Sequence, residues 1–106
     1  MGLFSNLFKK EETEENLEEY SNQKFYMEVE DVFTVVGKGT VVTGRVESGI
    51  VHVGDTVSIS GRMNALVEGI EMFRKKLDYA KENDACGILL KDISRDDISK
   101  EDYLSK

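Results

Sequence analysis

Groups able to do covalent or acid–base chemistry are few in this chain. It holds one histidine, His52, and one cysteine, Cys86. One of each cannot build a His/Cys zinc site, and a lone cysteine forms no intrachain disulfide. His52 lies between Val51 and Val53, so on a half-buried strand it points to solvent. Cys86 sits inside the apolar run ending at Leu90, the setting of a buried, inert thiol. Glu30-Asp31 and Asp96-Asp97 are acidic pairs. Neighbours on a strand face opposite ways, which makes them poor general acid–base dyads and weak cation sites. Gly37-Lys38-Gly39-Thr40 looks like a phosphate loop in composition only. That loop needs a lysine followed by Ser or Thr and then a helix; here glycine and a β-branched run follow. The chemistry on offer is binding. The expectation is a non-enzyme with no cofactor and no metal.

The elements that position these residues are strands. From Lys24 onward Phe25, Met27 and Val29 alternate with Tyr26, Glu28 and Glu30, the pattern of a strand buried on one face. Val32–Val36 is a second extended stretch, and Gly37-Lys38-Gly39 turns the chain. Thr40–Glu47 is β-branched with Gly44 in its middle, which marks a bulge or a close backbone approach. Ile50–Val53, Thr56–Ser60, Leu66–Phe73 and Ala85–Leu90 read as further strands, and Tyr103-Leu104 as a short last one. Gly61–Asn64 reads as a loop. The charged stretch Arg74–Asn83 also reads as a loop, with at most one helical turn, and Asp92–Lys100 as a turn-rich connection. Six or seven short strands with glycine turns predict an all-β barrel or sandwich without a long helix after residue 23.

The chain has 106 residues, enough for one compact domain, and a formal net charge of −7. That charge weakens any reading as a general nucleic-acid binder, which needs a basic face. There is no proline, and no apolar run is long enough to span a bilayer as a helix. One cysteine fits a reducing compartment, so the expected location is cytoplasmic. The charge is uneven. Residues 1–23 carry six Glu against two Lys, whereas residues 24–92 are nearly balanced.

Residues 1–23 are expected to be a leader, helical or disordered, and residues 24–106 the barrel. Leu3, Phe4, Leu7 and Phe8 would share one helical face, followed by an acidic run from Glu11 to Glu19. The apolar start is too short for a secretion signal, and Asn6 stands where a myristoylation site needs Ser or Thr. Such a segment either packs on the domain or docks into a partner groove or on a membrane surface.

One stretch is far more specific. Glu30-Asp31-Val32-Phe33-Thr34-Val35-Val36-Gly37-Lys38-Gly39-Thr40-Val41-Val42-Thr43-Gly44-Arg45-Val46-Glu47-Ser48-Gly49 resembles the start of the second domain of elongation factor Tu and related translational GTPases. Gly49-Ile50-Val51-His52-Val53-Gly54-Asp55, Gly69-Ile70-Glu71-Met72-Phe73-Arg74-Lys75, Gly87-Ile88-Leu89-Leu90 and Arg95-Asp96-Asp97-Ile98 follow the family's order. The likeness runs over about residues 25–105. It implies a six-stranded antiparallel Greek-key β-barrel, without the GTPase domain that precedes this module in the intact factor and without its third domain.

In the family this domain helps hold the 3′ end of aminoacyl-tRNA and contacts the small ribosomal subunit. The resemblance therefore implies an RNA-end or aminoacyl pocket lined by Glu30, Asp31 and Phe33, bordered by Val41 and Thr43, with Glu71 and Arg74 near the acceptor end and Leu89 as an apolar wall. Ala85 stands where the family has Asn, so no side-chain amide faces the amino acid there. Near Met27-Glu28 the family's Leu-Pro is replaced, and glycines expected around Asp92 and Glu101 are absent. Two functions are expected. The first is a binding module that contacts tRNA or the ribosome without GTPase activity. The second is a protein-interaction adaptor that uses the barrel as scaffold and Leu3, Phe4, Leu7 and Phe8 as its docking peptide.

Overall fold

The computed structural model describes residues 17–106. The leader positions Leu3, Phe4, Leu7 and Phe8 lie outside the described residues. Residues 17–21 are helical, and ten strands follow: β1 (Tyr26–Glu28), β2 (Asp31–Val35), β3 (Gly39–Ser48), β4 (Ile50–His52), β5 (Thr56–Ile59), β6 (Met63–Met72), β7 (Lys75–Leu77), β8 (Tyr79–Lys81), β9 (Ala85–Leu90) and β10 (Tyr103–Ser105). Arg95–Asp97 form one 3₁₀ turn, capped by the Ser94 side chain.

Antiparallel pairing runs from β1 through β10, β5, β6, β9 and β3, and β3 pairs back onto β1. That closes a six-stranded barrel of the Greek-key kind expected, with non-neighbour crossings from β3 to β5 and from β9 to β10. Closure leaves these six strands no unpaired edge. Three additions sit on it. β2 extends the sheet beyond β3, β7 beyond β6, and β4 pairs with β8 as a separate ribbon.

The alternating residues fill the interior. Met27, Val42, Val46, Val57, Ile59, Val67, Ile88 and Leu104 have essentially no exposure. Each of these side chains contributes roughly 1.5–3 kcal/mol by leaving water. Cys86 is buried among them, and burial, with a smaller push from Asp84, raises its thiol to about 12. His52 faces solvent as expected, although its strand does not alternate: Ile50 and Val51 are both buried, and His52 and Val53 are both exposed. Gly44 answers the close-approach reading: a Cβ there would run into the Glu28 carbonyl oxygen and come 3.2 Å from Met27 Cγ, because β1 crosses β3 at this point.

The stretch Arg74–Asn83 departs from expectation. It holds two strands, β7 and β8, rather than a loop. Phe73 and Arg74 both adopt left-handed φ, +52° and +64°, and reverse the chain between the paired residues Met72 and Lys75. The backbone of the stretch is tied down by the β4–β8 pairing and by the Val53 N–H donating to the Asp78 carbonyl at 2.9 Å. Backbone pairing, not a run of apolar side chains, makes these strands, so composition hides them. The strand β6 also starts earlier than expected, at Met63 inside the predicted Gly61–Asn64 loop, because Ile59 pairs with Met63 across a tight turn.

Candidate functional site

Consecutive pairings place β2, β3, β9, β6 and β7 side by side, and their outward residues fall into rows. One row runs Phe33, Val41, Leu89, Gly69. The next runs Asp31, Thr43, Gly87, Glu71, Lys76. Period-two alternation keeps Val42, Ile88 and Ile70 inside and turns these rows outward. The two glycines sit where the other strands carry side chains, so the middle of the face is hollow.

The hollow is a groove of about 720 Å³. Its floor is Val41, Leu89, Gly69 and Gly87. Phe33 and Val35 stand on the β2 side, Lys76 and Leu77 on the β7 side. Phe73 borders it from the β6–β7 turn, and Lys38 from the β2–β3 turn. Phe33 is 41% exposed and Phe73 88%. Both aromatics thus present apolar surface to solvent around an apolar floor instead of packing in the core. Charge along the lining is mixed, Lys38 and Lys76 against Glu68 and Glu71.

Of the residues singled out in the sequence, Phe33, Val41, Thr43, Glu71 and Leu89 line this groove together. Three do not line it. Asp31 is in the same register row as Thr43 but beside the groove, and its carboxylate accepts the Val32 N–H at 2.9 Å. Glu30 is exposed just ahead of β2 and donates its backbone N–H to the Thr43 carbonyl at 2.8 Å. Arg74 is exposed on the turn after Phe73. Ala85 lies one step past Gly87, paired with Arg45, and is also exposed.

The groove has members that are not singled out as site residues in the sequence: Val35, Lys38, Gly69, Phe73, Lys76, Leu77 and Gly87. A signal exists for two of them. Gly69 and Gly87 occupy outward positions of otherwise β-branched or apolar strands, where a glycine leaves room for another molecule. The space above them is uneven. A Cβ on Gly69 would make ordinary contacts of 3.7 and 3.8 Å with Leu89, whereas one on Gly87 would press on Val41 Cγ1 at 3.3 Å.

Among the described residues no group of three or more His, Cys, Asp or Glu side chains could hold a metal ion, and no helix is long and apolar enough to cross a membrane. Val36-Gly37-Lys38 is the turn of the β2–β3 hairpin, and Gly39 opens β3 paired with Val35. The family model for elongation factor Tu domain 2 matches residues 39–102. Val41, Thr43, Glu71, Arg74 and Leu89 fall within that span, and Glu30, Asp31 and Phe33 precede it. The match takes in more than half of the chain and coincides with a closed six-stranded barrel, so this chain belongs to the elongation factor Tu domain 2 family.

Proposed function

We propose that this barrel is a non-catalytic binding module of the translation machinery. It holds the 3′-terminal adenosine of an RNA, a tRNA acceptor end or a ribosomal segment, in the outer groove. It works in the cytoplasm and hydrolyses no GTP itself. The observation that carries this reading is the pair of register rows. An aromatic and aliphatic row (Phe33, Val41, Leu89) lies directly beside a polar row (Thr43, Glu71, Lys76) across the glycine floor.

That arrangement suits a nucleoside. The apolar row offers a face to adenine, and Thr43 and Glu71 offer oxygens to ribose hydroxyls. Lys38 and Lys76 offer cations to the adjoining phosphates. Stacking a base on an aromatic side chain contributes about 1–3 kcal/mol. The net charge of −7 opposes extended contact with the phosphates of the rest of the RNA, which favours binding of the end.

The test is fluorescence anisotropy with a short single-stranded RNA ending in CCA and the same RNA carrying a 3′-phosphate. The free 3′ end is expected to bind more tightly. Phe33→Ala is expected to weaken it about 5- to 150-fold, the equivalent of the stacking energy. Equal binding of the two RNAs, or an unchanged affinity in Phe33→Ala, refutes the reading.

A further inference from the structure

We infer that the outer face built by β2, β3, β9, β6 and β7 is self-complementary, and that two copies of the chain pair through it, face to face, about a two-fold axis along β9. Pairing stands on the observations below. The dimer covers the groove, so a second copy and an RNA end are alternative occupants; that consequence rests on the function proposed above.

Symmetry supplies the test of fit. An axis parallel to β9, midway between two stacked faces, keeps each row at its height and reverses the order of strands within it. The β2 strand of one copy then lies over the partner's β7, β3 over its β6, and β9 over its β9. Stacked sheets keep their strands within about 30° of each other, which this axis satisfies.

Register fixes two outward rows, and each can be laid on its own reversal. The polar row is Asp31, Thr43, Gly87, Glu71, Lys76. Reversed, it sets Asp31 against the partner's Lys76 and Thr43 against the partner's Glu71, with glycine on glycine between them. A carboxylate meets an ammonium, and a hydroxyl meets a carboxylate to which it can donate. Both contacts occur twice, once on either side of the axis. The apolar row is Phe33, Val41, Leu89, Gly69. Reversed, Leu89 meets the partner's Leu89. Val41 enters the space above the partner's Gly69, where a Cβ would find nothing nearer than 3.6 Å and only Leu89 atoms at 3.7 and 3.8 Å. Phe33, 41% exposed, comes beside the partner's Leu77.

Charge selects a second copy over other occupants. Asp31, Glu71 and Lys76 are exposed, and among the described residues none of them forms an ion pair. The Val32 N–H takes up only Oδ1 of Asp31. An acidic ligand would satisfy Lys76 and be repelled by Asp31 and Glu71, and a basic one would do the opposite. The reversed face satisfies both ends at once. Five strands at about 4.8 Å, read over about six residues at about 3.3 Å, give a face of about 500 Å² per copy. Two such faces lie at the low end of specific interfaces, so the dimer is weak and depends on concentration.

The experiment is sedimentation equilibrium of the full chain from about 10 μM to about 1 mM. The average mass is expected to rise from one chain toward two. Asp31→Lys alone, or Lys76→Asp alone, sets like charges opposite each other at two places and is expected to weaken pairing about tenfold or more. Mixed in equal amounts, the two single variants are expected to pair again, because every contact between them is once more opposite in charge. The double variant Asp31→Lys with Lys76→Asp is expected to recover in the same way. Amide signals of Gly69, Gly87 and Leu89 are expected to shift with concentration, and that of Gly61 on the β5–β6 turn to stay in place.

A chain that remains a monomer at about 1 mM refutes the dimer. So do single variants that pair as the parent does, or a mixture that pairs no better than its parts. CCA-ended RNA that binds none of the chains overturns the proposed function, while sedimentation without RNA by itself decides the dimer.

Discussion

Replacing Phe73-Arg74 by Asn-Gly is expected to stabilise the barrel while weakening its groove. Both residues sit at left-handed φ, +52° and +64°, in the two-residue turn joining Met72 to Lys75. A turn of that length and handedness favours Asn-Gly, because each central residue needs φ above zero. For an ordinary residue the left-handed region costs roughly 1–2 kcal/mol, much less for Asn and nothing for Gly. Little packing is lost in exchange, since Phe73 is 88% exposed and Arg74 is exposed too. Glycine gives back part of the gain through its freer unfolded chain, about 0.5–1 kcal/mol. The net is about 1–2 kcal/mol. For a domain of this size that raises the melting temperature by about 4–16 °C. Thermal unfolding followed by circular dichroism measures it, with chemical denaturation as a second reading of the same change. RNA-end binding in the same variant should fall, because the aromatic that borders the groove is gone. A melting temperature that stays level or drops refutes the argument. It would mean that Phe73 and Arg74 make contacts in the folded chain worth more than the backbone strain they carry.

Gly69→Val fills the groove floor where a Cβ meets only ordinary contacts with Leu89, so it should abolish RNA-end binding and leave the melting temperature level or slightly higher. Asp102 is held well below the usual carboxylate range, first by the Arg62 guanidinium and then by the Ser99 N–H and the Ser60 hydroxyl. A depressed value stabilises the fold fully above the ordinary Asp pKa near pH 4, and this is lost as pH falls below it. Asp102→Asn should therefore cost about 1–3 kcal/mol at pH 7, with the gap to the parent closing toward pH 2 in urea unfolding. Cys86, its thiol raised to about 12 and its side chain in the core, should resist iodoacetamide at pH 8 in the folded chain and react at once in guanidinium.

Much of the barrel is legible in the amino-acid sequence. Alternation at Phe25-Met27-Val29, the β-branched run around Gly44 and the late apolar strand at Cys86–Leu90 are properties of near neighbours, and burial follows from them directly. The ordered blocks from Glu30 to Ile98 carry the family likeness and the five singled-out residues, Phe33, Val41, Thr43, Glu71 and Leu89, that meet in the groove. Tertiary structure decided the rest. Phe33, Val41, Leu89 and Gly69 come into one row only through the register of β2 on β3, β3 on β9 and β9 on β6. At Leu89 the last two pairings join residues 48 and 20 positions apart, and a slip of one position would turn the whole set inward. Long-range pairing with β4 made a strand of Tyr79–Lys81, and a tight hairpin with β6 made one of Lys75–Leu77, where local composition argues for a loop. That hairpin also held Phe73 and Arg74 in a turn their own propensities oppose. The hollow exists because Gly69 on β6 and Gly87 on β9 fall in adjacent rows of paired strands, one opposite Leu89 and the other opposite Glu71, a coincidence that lives in the fold and not in either segment alone.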